Sequence, residues 1–344
     1  MKGSTIALGA LNGREAAALM VDGKLHDLFI DGEGIRAGTI YRGIAGRPMK
    51  GQGGIFLDTP DGSVYLRQIK GIAPGQRLLV QVTGQAEPGK AVPVTAKVLF
   101  KSRYAIVTPG APGVNISRSI RDDDLRDELT GIARDAFDSE DGLILRSSCA
   151  TGDPEAIADD IQAMAELAKN VMADTDGDAE KLVDGDGPHM LAWREWTMTD
   201  DVDDSEDAFE NNGVLDAIEA LSSPMVSLGG GASMAIEPTR ALVSVDVNTG
   251  GDTSPAAGLK ATIAALREPD LTLKPLWAIL AFVGVGGAAL VPHAPDHLYW
   301  FLGVAAPTVS FSAAAGSWQP EVMRALFPLG AIGGIGRVYL HRNR

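Results

Sequence analysis

The chain has 344 residues, with 30 Lys and Arg against 45 Asp and Glu, a formal net charge of −15, 41 Gly, 19 Pro and one Cys. That length suits about two or three domains with ample material for a core. Cys149 alone excludes an internal disulfide and a Cys-ligated zinc site. Residues Met1 to Met20 include Lys2, Arg14 and Glu15 and lack the uninterrupted apolar run of a signal peptide, so a reducing, cytoplasmic location is expected.

Spread evenly, this charge would argue against a polyanionic partner, but the distribution is uneven. Residues 1–120 hold 15 Lys and Arg against 8 Asp and Glu, residues 121–210 hold 7 against 28, and residues 211–344 hold 8 against 9. Only the first third has the charge to face a polyanion.

In chain order, STIALGAL and AAALMVDGKLHDLFI within residues 1–31 read as an alternating hairpin, with Asp22-Gly23 as a turn signal. From Arg36 to Phe100, five β-like runs (GTIYRGIAG, GGIFLDT, SVYLRQI, RLLVQVTG and AVPVTAKVLF) are separated by Gly, Pro and Asp-Gly and predict a small OB-like barrel. Glu155 to Val171 is predicted helical, because Ile157, Ile161, Met164, Leu167 and Val171 recur at three- and four-residue spacing behind Gly152-Asp153-Pro154. Residues 174–210 are rich in Asp and Gly, and seven of the eleven from Asp200 to Glu210 are acidic, which predicts a solvated linker. Gly213 to Ala220 reads as a short helix.

SMAIEPTRALVSVDVN reads as a second hairpin, closed by Glu237-Pro238-Thr239-Arg240. In a strand over Ala241 to Asn248, Ala241, Val243, Val245 and Val247 share one face, and Leu242, Ser244, Asp246 and Asn248 the other. Asp246 and Asn248 then lie side by side just before Thr249-Gly250-Gly251. Two uses stay open there: oxygen ligands for a metal approached by a phosphate, or Asx side chains bonded to the turn they enter.

Taken together, IEPTRALVSVDVNTGG (Ile236 to Gly251), GRPMKGQGGIFLD with YLRQIKG, and GLILRSS are similar in order and spacing to the catalytic strand, the S1 RNA-binding barrel and the 5′-end sensor of the bacterial ribonuclease E/G endoribonucleases in their compact form. The resemblance covers about residues 1–268. It implies an α+β fold: an RNase H-like subdomain (1–35 with 211–268) interrupted by an inserted S1 (OB-fold) barrel (36–118) and a 5′-sensor subdomain (119–173), then an acidic linker (174–210) and an apolar tail (269–344). It also implies Mg2+-dependent hydrolysis of single-stranded RNA, in processing or decay, favouring 5′-monophosphate ends.

On that resemblance, Asp246 falls where the family has its first metal-binding catalytic aspartate, and Asn248 where an asparagine helps hold the site. Phe56 and Tyr65 match barrel positions whose rings stack on bases, and Lys90 matches a barrel lysine near the scissile region. Arg146 and Ser147 match the Arg and hydroxyl pair that grips a 5′-phosphate. The residue types suit these tasks: Mg2+ takes carboxylates and waters, a ring stacks on any base, and the guanidinium fork binds phosphate bidentately. The competing readings are a core position for Phe56 and, for Arg146, an ion pair with one of the many carboxylates of residues 121–210.

Past Glu268 the resemblance stops. The family continues there to a strand bearing a second catalytic aspartate, whereas GVGGAALVPHAP (Gly284 to Pro295) would place Pro292 at that position, and neither Asp270 nor Asp296 matches by motif. A catalytically impaired RNA-binding protein is therefore the alternative expectation. Pro275 to Pro295, His297 to Pro320 and Ala325 to Gly336 contain no Asp, Glu, Lys or Arg. Three readings of this tail stay open: membrane association through residues 276–340, an out-of-frame or fused segment, and a buried apolar hairpin. The longest clean apolar stretch, Leu276 to Val291, is sixteen residues, short of the roughly 20 a span needs. Pro295 between His293 and His297 disfavours a helical zinc pair. Larger family members join protomers through a Cys-x-x-Cys zinc link; one Cys gives that assembly no support and leaves homo-oligomerisation open.

Overall fold

A computed structural model describes residues 3–270 apart from 33, 49–52, 68–70, 87–89, 198, 200, 239–242 and 253, together with Leu273 and the backbone of 309–313 and 339–341. Two compact units result: Gly34–Thr199, and Met1–Glu33 with Asp200–Arg344.

The chain opens with an antiparallel meander of β1 (Ser4–Leu11), β2 (Arg14–Val21) and β3 (Lys24–Ile30). Both turns have two central residues at positive φ, Asn12-Gly13 (53° and 76°) and Asp22-Gly23 (51° and 78°), the mirror-image turn whose twist matches that of the strands it joins. The sequence reading found only the second turn, so its hairpin is in fact three strands.

Five strands then close into a barrel: β4 (Ile40–Ala45), β5 (Gly54–Thr59), β6 (Gly62–Arg67), β7 (Arg77–Val82) and β8 (Val92–Thr95). Their order is β4-β5-β6-β8-β7, with β7 pairing back onto β4; β6 and β8 run parallel and the other pairs antiparallel. This is the OB-like barrel expected from the five runs. Alternation fills it: Ile55, Leu57, Val64, Leu66, Val80 and Val82 point inward and are buried, which sends Phe56 and Tyr65 to the outer face.

The barrel ends earlier than the expected boundary at residue 118. Phe100 onward enters a second sheet of β9 (Phe100–Lys101), β10 (Ala105–Thr108), β11 (Gly113–Ile116) and β12 (Gly142–Leu145), ordered β11-β12-β10-β9. Helices α1 (Asp123–Ala136) and α2 (Pro154–Ala173) pack on this sheet. Asp153 caps α2 by accepting from the Ala156 N–H at 3.1 Å. Ile157, Ile161, Ala168 and Val171 form its buried stripe, with Met164 and Leu167 at the margin.

Residues 174–210 are not only a solvated linker. Strand β13 (Glu180–Val183) pairs antiparallel with β4, and α3 (Pro188–Glu195) follows. The cause is Arg42, 4% exposed within β4. Its guanidinium donates to the Asp178 carbonyl at 2.9 Å and pairs with the Asp174 and Glu180 carboxylates. A buried cation demands such partners, so the acidic composition that suggests solvation also docks the segment. Gly177, at φ 123°, passes so close that a Cβ there would lie 3.0 Å from Arg42 Nη2.

In the other unit, β14 (Asp201–Asp203) adds in parallel to β1 as an edge strand, where charged side chains reach water. Then α4 (Ala208–Asn211) buries Phe209 over Gly9, whose missing Cβ leaves room for the ring, and α5 (Val214–Ala220) completes that core. Strands β15 (Met225–Gly229), β16 (Ala232–Pro238) and β17 (Val243–Asn248) run antiparallel, with α6 (Pro255–Ala265) against them. The backbone of β18 (Val309–Ala313) and β19 (Tyr339–His341) extends this sheet in parallel. The remaining tail expectations, including those for Pro292, His293, Asp296 and His297, lie outside the described residues. Among the described residues no helix is long and apolar enough to cross a membrane.

Candidate functional site

Strand β17 positions Asp246 and Asn248. Val243, Val245 and Val247 are buried against β16 and α6, and this fixes the pleat so that Asp246 and Asn248 emerge together on the opposite, exposed face. Asn248 Oδ1 accepts from the Gly250 N–H at 2.8 Å, the Asx-turn use. Gly250, at φ 72°, lies so near Gly231 that a Cβ would be 2.5 Å from the Gly231 carbonyl oxygen. Asp252 is the next carboxylate along. Its Oδ1 accepts from the Ser254 N–H at 2.9 Å, and bonds from Ser254 hold it below the usual carboxylate range. Ser254 in turn caps α6 through the Ala257 N–H. Among the described residues no three His, Cys, Asp or Glu side chains gather as a metal site.

On the barrel, Phe56 and Tyr65 are direct cross-strand partners of β5 and β6. Their rings lie 5.2 Å apart and tilted by 52°, and both are half-buried. Ile55 and Leu57 take the core, so the competing core position for Phe56 is not the one adopted. The Tyr65 ring lies over Gly54, where a Cβ would come within 2.3 Å of the phenol oxygen. Arg67, opposite Gly54 on the same outer face, is exposed. Lys90 is exposed two residues before β8.

Arg146 and Ser147 follow the end of β12. Ser147 is exposed at the start of a single 3₁₀ turn. Arg146 meets an ion pair that the sequence left as its competing reading: Nη2 donates to Glu195 Oε2 at 2.6 Å, and Nη1 donates to the Ser102 and Arg194 carbonyls at 2.5 and 3.0 Å. Lys101 and Arg194 also reach Glu195, at 2.7 and 2.9 Å. Burial alone would raise the Glu195 carboxyl, but the charges of Lys101, Arg146 and Arg194 outweigh it and bring it down to about 2. Lys101 is lowered, first by burial and further by the neighbouring charges of Arg194 and Arg146, which together outweigh the raising effect of Glu195. Lys101, Arg103, Trp193, Arg194 and Glu195 escaped the sequence reading; the runs Lys101-Ser-Arg103 and Trp193-Arg-Glu195 contain them but have no motif spacing. Cys149 is buried with its thiol pushed up to about 11, chiefly by that burial.

By fold this is an α+β protein built around an OB-like barrel. A model of the ribonuclease E/G family matches residues 100–204 and 189–266. Ribonuclease E of Synechocystis sp. is 24% identical over 295 residues, covering 70% of this chain and 44% of that protein. Ribonuclease E of Nostoc sp. is 23% identical over 295 residues, 70% of this chain and 43% of that protein. Ribonuclease G of Escherichia coli K12 is 23% identical over 334 residues, 77% of this chain and 68% of that protein. Over residues 100–266 the match is to the ribonuclease E/G family, and the ribonucleases E and G carry the similarity over 70–77% of the chain. The chain spans less than half the length of the two ribonuclease E relatives.

Proposed function

We propose that the chain is an endoribonuclease of the ribonuclease E/G type that binds single-stranded RNA on its barrel, hydrolyses it with Mg2+ held through Asp246, and favours 5′-monophosphorylated ends. The observation that supports this most is the exposure of Asp246 and Asn248 together at the end of β17, within the stretch matched by the family model.

The donor set fits the metal. A carboxylate and an amide oxygen are hard ligands of the kind Mg2+ takes when it keeps several waters and binds substrate phosphate. Mg2+ would supply electrostatic stabilisation of charge developing on the scissile phosphate. Asp246 would hold it, with Asn248, oriented through Gly250, offering its amide oxygen as a further ligand. Phe56 and Tyr65 offer a sequence-tolerant stacking face, and Arg67 and Lys90 bring positive charge on the barrel to the RNA backbone. Arg146 and Ser147 take a terminal phosphate once Glu195 gives up its bond to Arg146.

Salt-sensitive binding of an unstructured RNA oligonucleotide, with cleavage abolished by chelator and by Asp246→Asn, supports the reading. Cleavage untouched by Asp246→Asn rejects the site. The second reading, an RNA-binding protein impaired in catalysis, is favoured by Pro292 at the expected aspartate position in the sequence. Retained binding without cleavage in Mg2+ selects it.

A further inference from the structure

The indole of Trp193 is the most exposed aromatic ring among the described large hydrophobic residues, at 55%, and Met190, 57% exposed, sits three residues earlier on α3. The ring is fixed in place. The Arg103 guanidinium lies over it, 3.9 Å from the centroid, and Arg103 Nη1 donates to the Trp193 carbonyl. Arg103 is itself held from below, its carbonyl accepting from Ser148 Oγ at 2.5 Å and from Arg146 Nη1 at 3.3 Å, while its Nε is buried without a hydrogen-bond partner. A ring with one face against a guanidinium and more than half its surface exposed presents its other face to solvent.

The surroundings define what that face suits. Lys101, Arg103, Arg146 and Arg194 gather here, and the Arg194 carbonyl, next to Trp193, accepts from Arg146. Arg146 and Arg194 stand out in the strongly acidic stretch 121–210. A π-face backed by the Arg103 guanidinium, one residue from the Arg194 carbonyl that Arg146 donates to, matches an unpaired nucleobase with its phosphate attached. We propose that Trp193, backed by Arg103, is a stacking platform for the base of the 5′-terminal nucleotide of single-stranded RNA. The proposal rests on the 5′-end reading of Arg146 and Ser147, whose phosphate the same nucleotide carries. Arg103 and Arg194 are positioning residues, the first by stacking on the indole and the second through its carbonyl.

The test measures binding of 3′-labelled, 5′-phosphorylated RNA, the same RNA with an abasic first nucleotide, and a 5′-hydroxyl form, to the full chain and its Trp193→Ala, Trp193→Phe and Phe56→Ala/Tyr65→Ala variants. Trp193→Ala is expected to weaken the phosphorylated RNA about tenfold, and Trp193→Phe to keep most of the affinity. The abasic RNA should bind the unaltered chain about tenfold more weakly and lose nothing further on Trp193→Ala. Independent losses from the two changes, or none from Trp193→Ala while Phe56→Ala/Tyr65→Ala abolishes binding, overturn the platform and leave the barrel reading intact. Equal binding of phosphorylated and hydroxyl ends rejects the 5′-end reading, and the coupling between Trp193 and the first base still decides the platform. A change confined to self-association, with RNA affinity unaltered, marks the ring as a protein contact and overturns the proposal.

Discussion

Arg146 Nη2 donates to Glu195 Oε2 at 2.6 Å, across 49 residues of sequence, and so the guanidinium proposed to hold a phosphate is already bound to a carboxylate. Glu195 is mostly buried and sits among three cations, the position an entering anion would take. A 5′-phosphate therefore competes with an internal carboxylate instead of filling open space. Because the phosphate has the higher charge and more acceptor oxygens, the exchange is chemically reasonable and costs affinity by the strength of the Glu195 bonds.

Glu195 should leave a pH signature. Its folded-state pKa, about 2, lies below the ordinary 4.5, so its contribution is fully present above about pH 4.5 and is lost as pH falls toward 2, about 3 kcal/mol in all. Glu195→Gln leaves buried cations short of a partner and should destabilise the chain by roughly 3 kcal/mol at pH 7. Denaturant melts of both proteins at pH 7, 4.5 and 2.5 should show that gap narrowing over the acid arm; a constant gap would mean the carboxylate is not held by this cluster.

The barrel separates packing from recognition on adjacent residues. Leu57→Ala, at a fully buried position, should cost about 2–5 kcal/mol of stability. Phe56→Ala combined with Tyr65→Ala should change stability far less and weaken binding of an unstructured oligonucleotide about tenfold or more. Thermal melts and binding isotherms on the same preparations check both. Equal RNA affinity in the double variant would remove the aromatic pair from the interface.

Asp246→Asn keeps the shape of an exposed side chain and removes its charge. The fold and RNA affinity should persist within a factor of a few, while Mg2+-dependent cleavage falls by at least about a hundredfold, the scale of a lost electrostatic contact to the transition state. Retained cleavage at the original Mg2+ dependence would move the metal site elsewhere.

Gly250→Ala tests the turn that carries Asn248. The residue has φ 72° and a neighbouring backbone carbonyl where Cβ would go. Left-handed strain alone is worth about 1–3 kcal/mol, and the backbone clash adds to it. Reduced stability together with impaired cleavage is the expected pair of results, and an unchanged melting temperature would show that the two glycine turns separate readily.

Local pattern alone determined much of this protein. The five barrel strands, the long helix behind Asp153 and the shared face of Asp246 and Asn248 follow from alternation, periodicity and capping, which act between residues close in the chain and need no tertiary information. The Asp22-Gly23 turn is legible for the same reason, and Asn12-Gly13 has the same chemistry and the same positive-φ pair. Tertiary structure decided what lies far apart in sequence. Composition made residues 174–210 a linker, yet Arg42 holds residues 174–180 against β4, because a buried cation draws carboxylates that would otherwise remain in water. It left Arg146 open between a phosphate and a carboxylate, and only folding brought Glu195, Lys101 and Arg194 to it. It gave no sign of Arg103 under Trp193, since stacking between residues 90 positions apart leaves no spacing in the chain to read.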